Sequence, residues 1–208
     1  MDITQTITLA LIQGFTEFLP VSSSAHLVIL PKFLDWPDQG LAFDVVLHFA
    51  TLCAIIFYYR SSLVSLTKDF YDSIATRKTQ GESMLAWGII LGTIPVGIVG
   101  LLFRESIELN LRSYQVVAFA TIFFGLLLGF SDWLHRKFQK SREYIRGSDI
   151  LIVGCFQALA LIPGTSRSGI TITAALLIGL SRALSIKYAF LLSIPVIALA
   201  TLLKTFDL

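Results

Sequence analysis

The sequence predicts an all-α fold embedded in a membrane, on three observations. Charge is scarce, four long stretches are apolar and nearly free of charge, and two further apolar stretches are broken midway by proline, glycine and hydroxyl residues. Of 208 residues, 55% are apolar and 14% charged, where a soluble domain carries about 25% charged residues. The net charge of +2 is too small for a nucleic-acid partner, and the basic residues fall in loops. Cys53 and Cys155 lie inside apolar runs without a CxxC partner and read as small buried residues. The start, Met1-Asp2-Ile3-Thr4, lacks the positive region of a signal peptide, so the apolar beginning is expected to be retained as structure.

Each predicted span has its own reason. Residues 83–103 carry no charge, and 113–133 carry none up to Ser131; both approach the roughly 20 residues a spanning helix needs. Residues 42–59 are apolar except for Asp44 and His48, and 187–204 are bounded by Lys187 and Lys204, which can snorkel to the interfaces. Trp36, Trp87 and Trp133 fall near span ends, as interface anchors do. The glycine pairs Gly88/Gly92 and Gly125/Gly129 suit close helix–helix approach.

The stretches 3–31 and 150–181 are too short to cross twice. Each arm is about 14 residues, and two crossings would take about 40. Both are predicted to be re-entrant helical hairpins, with the break at Pro20 and the serines in the first and at Pro163-Gly164 in the second. Basic residues concentrate in 60–82 (Arg60, Lys68, Arg77, Lys78) and 134–149 (Arg136, Lys137, Lys140, Arg142, Arg146). In 104–112, Arg104 and Arg112 are balanced by Glu105 and Glu108. The positive-inside rule then makes the two basic loops cytoplasmic, so the hairpins enter from opposite sides.

Opposed hairpins are the logic of an inverted repeat. Gln13-Gly14-Phe15-Thr16-Glu17 before Pro20-Val21-Ser22-Ser23 matches Gln157-Ala158-Leu159-Ala160-Leu161 before Pro163-Gly164-Thr165-Ser166, with a gap of one residue. A single membrane domain, 1–208, is expected, with 1–133 as the first repeat and 150–208 as a partial second. By that symmetry two C-terminal helices are apparently missing, and two more spans are expected beyond Leu208.

An ionisable group at membrane depth costs on the order of 3 kcal/mol, so those that persist usually serve a site. Glu17, His26 and Arg167 lie at or just beyond the hairpin breaks. Gln13 and Glu17 share a helix face, and Ser22 and Ser23 are placed to share one with His26. Serine beside histidine is the minimal pairing for nucleophilic catalysis. A helix beginning near Ser166 points free N–H groups at an anion, and Arg167 adds a planar fork for phosphate oxygens. Gly164 lets the backbone approach a ligand, while Ser166, Ser168 and Thr171 supply donors. Asp44 reads as an outer partner of the site or an interfacial acid. His48 reads as structural, satisfied by Thr51 or the backbone, and His135 as solvated.

Two segments carry a resemblance to a known family. Residues 13–26, from Gln13-Gly14-Phe15-Thr16-Glu17-Phe18-Leu19-Pro20 through Ser22-Ser23-Ser24-Ala25-His26, resemble the first signature of the undecaprenyl-diphosphate phosphatases, also called bacitracin-resistance proteins. Pro163-Gly164-Thr165-Ser166-Arg167-Ser168-Gly169-Ile170-Thr171 resembles the second, and Phe43-Asp44 and Gly92-Thr93-Ile94-Pro95 extend the likeness over essentially the whole chain. The resemblance implies six spans and two re-entrant hairpins. This sequence departs from that pattern by ending after the fourth span.

The implied activity is hydrolysis of undecaprenyl diphosphate to the monophosphate and inorganic phosphate. This recycles the lipid carrier of cell-wall synthesis and lowers the lipid target of bacitracin. The implied setting is the bacterial inner membrane, with the site open to the outer, periplasmic side and a homodimer as a further partner. A divalent metal, Mg²⁺ or Ca²⁺, is implied near Glu17, with Gln13 as a second ligand. Ser23 is the leading nucleophile and His26 the base or leaving-group acid; direct attack by His26, or by metal-bound water, are the alternatives. The acid-phosphatase-like lipid phosphatases also place a histidine after such serines, but they need a later histidine after Ser-Arg, and none follows Ser181-Arg182. A transporter or lipid flippase shares the architecture without needing the serine and histidine.

Overall fold

In hydrocarbon every backbone N–H and C=O must pair within its own segment, so the apolar stretches have little choice but to be helices. A computed structural model shows this for residues 2–37, 39–111, 113–138 and 141–206, apart from the side chains of residues 104, 108 and 109. The helices are α1 (Ile3–Thr16), α2 (Ser23–Phe33), α3 (Gly40–Tyr58), α4 (Arg60–Thr76), α5 (Ser83–Leu102), α6 (Arg104–Asn110), α7 (Tyr114–Phe138), α8 (Gly147–Ala158), α9 (Arg167–Leu177) and α10 (Arg182–Thr205). A 3₁₀ turn, Leu159–Leu161, continues α8. Four of these, α3, α5, α7 and α10, are long and apolar enough to cross a bilayer, and they coincide with the four expected spans.

The two broken stretches form helix–break–helix hairpins, α1–α2 and α8–α9. In the first, the chain leaves α1 at Glu17 and enters α2 through Ser22, whose φ of 60° is left-handed. A non-glycine residue adopts that conformation at a cost of order 1–3 kcal/mol, and only when its surroundings over-determine it. In the second, Gly164 turns the chain with φ 93°. A Cβ there would sit 2.4 Å from the Val117 carbonyl oxygen of α7, so glycine is needed for space as well as for φ.

The ends of the α8–α9 hairpin are tied together. Both terminal nitrogens of Arg142 bond Asp149 at the start of α8, at 2.8 and 3.1 Å, and Nη2 also reaches the Ile178 carbonyl at 2.9 Å. The Arg142 N–H donates to Gly179 O at 2.8 Å, and its carbonyl accepts from the Ser181 N–H at 2.9 Å. The Asp149 carboxylate pushes the Arg142 guanidinium pKa still higher, so this clip stays charged at any working pH.

Helices in a bilayer associate by van der Waals packing and small-residue contacts rather than by a hydrophobic drive. The most extensive interface joins α5 to α8. There a Cβ on Gly154 would lie 2.9 Å from Gly92 O, so backbone meets backbone. Tyr188 of α10 fills the notch at Gly88 and Gly92 and donates to Gly88 O at 3.0 Å. Val153, Ala174, Ala175, Leu191 and Leu192 complete this core, and smaller clusters join α1, α2 and α3 (Leu9, Leu27, Leu47) and α3 with α10 (Leu52, Ile55, Ile197).

Four expectations are corrected. The loop 60–82 is largely the helix α4, whose Leu63, Leu66 and Phe70 face the main core at helical spacing; the polar residues between them hid the period. The helix α7 runs past 133 to Phe138, with His135, Arg136 and Lys137 in its last turn, where positive charge suits the carbonyl end. Nothing lies within 4 Å of a Cβ at Gly125 or Gly129, so of the two predicted pairs it is Gly88/Gly92 that serves close packing. Cys53 and Cys155 are exposed rather than buried, because a membrane helix is apolar all round and composition does not separate its faces. Arg112, Lys140 and Leu208 lie outside the described residues, and so do the side chains of Arg104 and Glu108.

Gly154→Ala is expected to destabilise the protein by about 1–3 kcal/mol, because the new methyl meets rigid backbone. Gly125→Ala, in open space, is expected to be neutral or mildly stabilising. Thermal unfolding of the two variants in detergent checks the contrast.

Candidate active site

Glu17 caps the end of α1, where its carboxylate collects partners from four elements. Gln13, one turn earlier and fully buried, donates from Nε2 to Oε2 at 2.9 Å. Ser23, the first residue of α2, donates from Oγ to the same oxygen at 2.7 Å. Arg167, the first residue of α9, donates from Nη2 to Oε1 at 2.8 Å. His48 of α3 brings Nε2 to 3.7 Å from Oε2. The two hairpins thus meet break to break. Ser168 Oγ donates to Leu19 O at 3.1 Å, and Thr121 Oγ1 of α7 donates to Gly164 O at 3.1 Å.

The Glu17 and Arg167 side chains are 6% and 14% exposed. Removing one partner of such a pair strands the other charge, at a cost of about 3–5 kcal/mol. The pair leaves some capacity unused. Arg167 Nη1, Thr165 Oγ1 and Gln13 Oε1 are buried with no hydrogen-bond partner. Buried polar atoms are almost always paired, so three orphans in one region suit a ligand that supplies the missing partners. For Arg167 Nη1 and Thr165 Oγ1, beside the N-terminus of α9, an anion would supply the missing partner.

The other residues singled out in the sequence fall into place as follows. Ser166 is the N-cap of α9, accepting from Gly169 N at 3.2 Å, with its Oγ 3.1 Å from Ser168 Oγ. Thr171 is buried, and its hydroxyl bonds the backbone carbonyls of Arg167 and Ser168 at 2.9 and 3.1 Å, which directs its proton into its own helix. Ser22 Oγ lies 3.3 Å from Ser24 Oγ. The expected pairing of Ser23 with His26 is not formed. His26 is exposed, and its Nδ1 bonds Ser22 O at 2.9 Å, while Ser23 turns to Glu17. Spacing of three is reliable along a regular helix; here Ser23 is its first residue, behind the left-handed Ser22. Sequence reasoning missed the place of His48 beside Glu17. Its one signal was the Asp44-to-His48 spacing, which put two ionisable groups on one face of a span.

For a divalent cation, no group of three His, Cys, Asp or Glu exists among the described residues. Gln13 turns its amide nitrogen to the Glu17 carboxylate and leaves Oε1 without a hydrogen-bond partner.

Two hollows adjoin the breaks. One, of about 20 Å³, lies between Pro20, Val21, Gly164, Ser166 and the Thr121–Gly125 face of α7. The other is an apolar groove of about 370 Å³ along α7, walled by Phe119, Phe123, Phe124 and Ile162. Phe124 lines both.

Residues 6–208 match the family described as bacitracin resistance protein BacA. The chain belongs to the bacitracin resistance protein family. With its four apolar spans, this member is a multi-pass membrane protein. It is 58% identical over 208 residues to a protein named undecaprenyl-diphosphatase from Ruthia magnifica subsp. Calyptogena magnifica, covering 100% of this chain and 78% of that one. It is 55% identical to undecaprenyl-diphosphatase 2 of Stutzerimonas stutzeri, with the same shares, and 53% identical to an undecaprenyl-diphosphatase of Campylobacter concisus, again with those shares.

In this bacitracin resistance family member Arg167→Lys keeps a charge for Glu17 but loses the planar fork whose second nitrogen is unpaired. It is expected to fold and to lose catalytic turnover by about a hundredfold or more. Turnover and thermal midpoint measured on the same preparation check both halves of the statement.

Proposed function

We propose that the protein hydrolyses undecaprenyl diphosphate to undecaprenyl phosphate and inorganic phosphate, which recycles the carrier lipid of cell-wall synthesis and lowers the target of bacitracin. The observation that carries the reading is Arg167. It begins α9, holds Glu17 with one terminal nitrogen and leaves the other buried without a partner. A helix N-terminus with a free guanidinium nitrogen is a phosphate site. The apolar groove that shares Phe124 with the small cavity gives a prenyl chain a place beside it. The names of the relatives agree, and nothing in the site favours the transporter alternative.

The chemistry follows from who touches whom. Ser23 Oγ attacks the terminal phosphorus, and the bond from that phosphorus to the bridging oxygen breaks, releasing undecaprenyl phosphate. The proton of Ser23 passes to Glu17 Oε2, which already accepts it in a hydrogen bond at 2.7 Å. Water then cleaves the phosphoserine and frees inorganic phosphate. Arg167 Nη1, Thr165 Oγ1 and the first N–H groups of α9 stabilise the charge on the phosphoryl oxygens. Glu17 therefore replaces His26 as the base in this reading. Gln13 and Glu17 would hold the divalent cation, which supplies neutralisation of phosphate charge when bound.

We extend the reading to orientation. The basic residues of 60–82 and 134–149 support a cytoplasmic placement, with the site open to the periplasmic side of a bacterial inner membrane. The Arg142–Asp149 clip supports re-entrance of the α8–α9 hairpin, because it holds both ends at one place.

Ser23→Ala is expected to lower phosphate release from undecaprenyl diphosphate by about a thousandfold or more, and brief quenching of the wild type is expected to trap phosphate on Ser23, located by peptide mass spectrometry. Substantial activity in Ser23→Ala, or label on His26, contradicts the assignment. For orientation, a cysteine placed at Lys78 in intact cells is expected to resist a membrane-impermeant thiol reagent until the cells are lysed.

A further inference from the structure

The helix α4 has one face for which the bundle provides no cover. Span α3 ends at Tyr58 and α4 begins at Arg60, so the start of α4 lies where that span leaves the bilayer. Its far half is fastened to the beginning of the next span. The Glu82 N–H donates to Asp69 Oδ2 at 2.8 Å, Trp87 Nε1 donates to Ser73 Oγ at 3.1 Å, and the Phe70 and Trp87 rings lie 4.8 Å apart. Consecutive spans cross in opposite directions, so the end of α3 and the start of α5 are on one side of the membrane. A helix of 17 residues, about 25 Å long, is thus held down along that surface. At about 100° per residue it divides into three arcs. Leu63, Leu66 and Phe70 face the core. Ser61, Ser65 and Asp72, all exposed, share a polar arc. Between the two, Val64, Tyr71 and Ile74 are 72%, 65% and 50% exposed and fall within about 80° of one another. The strip continues from Phe57 and Tyr58, the exposed aromatic end of α3. Its surroundings are positive. Lys68 stands four residues after Val64 and three before Tyr71, and Arg77 and Lys78 follow the helix; none of the three is ion-paired among the described residues, whereas Asp69 is turned to the Glu82 N–H.

We infer that α4 is an interfacial helix that binds anionic phospholipid, with Val64, Tyr71 and Ile74 immersed where headgroups meet acyl chains and Lys68, Arg77 and Lys78 holding the headgroup phosphates. The inference goes beyond the phosphatase reading and does not depend on it. A helix in the plane of the interface buries its apolar strip about 5–10 Å into that boundary and gains from basic residues beside it. The Lys68 stem can lie along the strip and lift its ammonium to the phosphates. In the orientation proposed above the leaflet is the cytoplasmic one, whose anionic lipids attract lysines and arginines next to a span. The strip is continuous with the end of a span, so lipid covers it without any protein partner.

The test uses the full chain in vesicles of phosphatidylcholine, with and without phosphatidylglycerol. Cys53→Ala and Cys155→Ala clear the background, and a nitroxide is attached in turn through Val64→Cys, Ser65→Cys, Tyr71→Cys and Asp72→Cys. Labels at 64 and 71 are expected to be relaxed by oxygen, which concentrates in lipid, and labels at 65 and 72 by a water-soluble nickel chelate. Relaxation by nickel at all four positions, which puts α4 in water, overturns the inference. So does exclusion of both reagents from 64 and 71, which puts a second copy or another protein on the strip. For the charge, spin-labelled lipids measure selectivity at the protein surface. Phosphatidylglycerol is expected to be preferred over phosphatidylcholine by about fivefold or more, and the preference is expected to vanish when Lys68→Gln, Arg77→Gln and Lys78→Gln are combined. In the unsubstituted chain about 1 M salt, which shortens the screening length to about 3 Å, is expected to do the same without any question of folding. Equal affinity for the two lipids, or a preference that survives both the salt and the triple variant, overturns the assignment of the headgroup site.

Discussion

The ion pair between Glu17 and Arg167 is the constraint on which the rest of the molecule turns. Either charge alone is costly at membrane depth, and Glu17 sits where α1 stops and Arg167 where α9 starts, so satisfying one fixes the place of the other. Once the pair forms, the two hairpin breaks are held face to face. Ser23 and Gln13 arrive on one side of the carboxylate and the N-terminus of α9 on the other. The same contact that closes the fold assembles the chemistry. It also leaves a guanidinium nitrogen over, which a purely structural pair would have no reason to bury unsatisfied.

Around that contact the packing follows membrane rules. Backbones touch where glycine permits, at Gly92 and Gly154, and a tyrosine hydroxyl closes the gap at Gly88. Both breaks carry unusual backbone. Ser22 is held left-handed and Gly164 is pressed against α7. Regular helix cannot continue through either position, and so Ser23 and Arg167 both become first residues of new helices, with free N–H groups at their backs.

Much of this was legible in the sequence because the bilayer leaves few solutions. Long apolar stretches with few charges became α3, α5, α7 and α10, and the apolar stretches with proline and glycine midway became two helices each. Glu17 and Arg167 were legible for the same reason, as charges without water. The misses share a cause as well. The helix α4 mixes polar and apolar residues at a surface, where composition loses its force. The separation of Ser23 from His26 depends on one unusual backbone angle at Ser22. The approach of His48 to Glu17 depends on how α3 is rotated against α1, and the exposure of Cys53 and Cys155 likewise depends on rotation. Helix rotation is set by neighbours distant in sequence, and local spacing carries no record of it.

The two members of the central ion pair are separated by 150 residues. The ribosome adds about 5–20 residues per second, so the carboxylate of the first hairpin exists for roughly 8 to 30 s before its counter-charge has been made. During biogenesis the α1–α2 segment therefore cannot settle at its final depth. It must wait near the headgroups, hydrated or attended by the insertion machinery, while three spans are threaded beside it. The pairing is consequently late and of high contact order, since it waits for α9. A nascent chain arrested before that step would expose an acidic, serine-rich loop at the membrane surface, a recognisable mark for quality-control proteases.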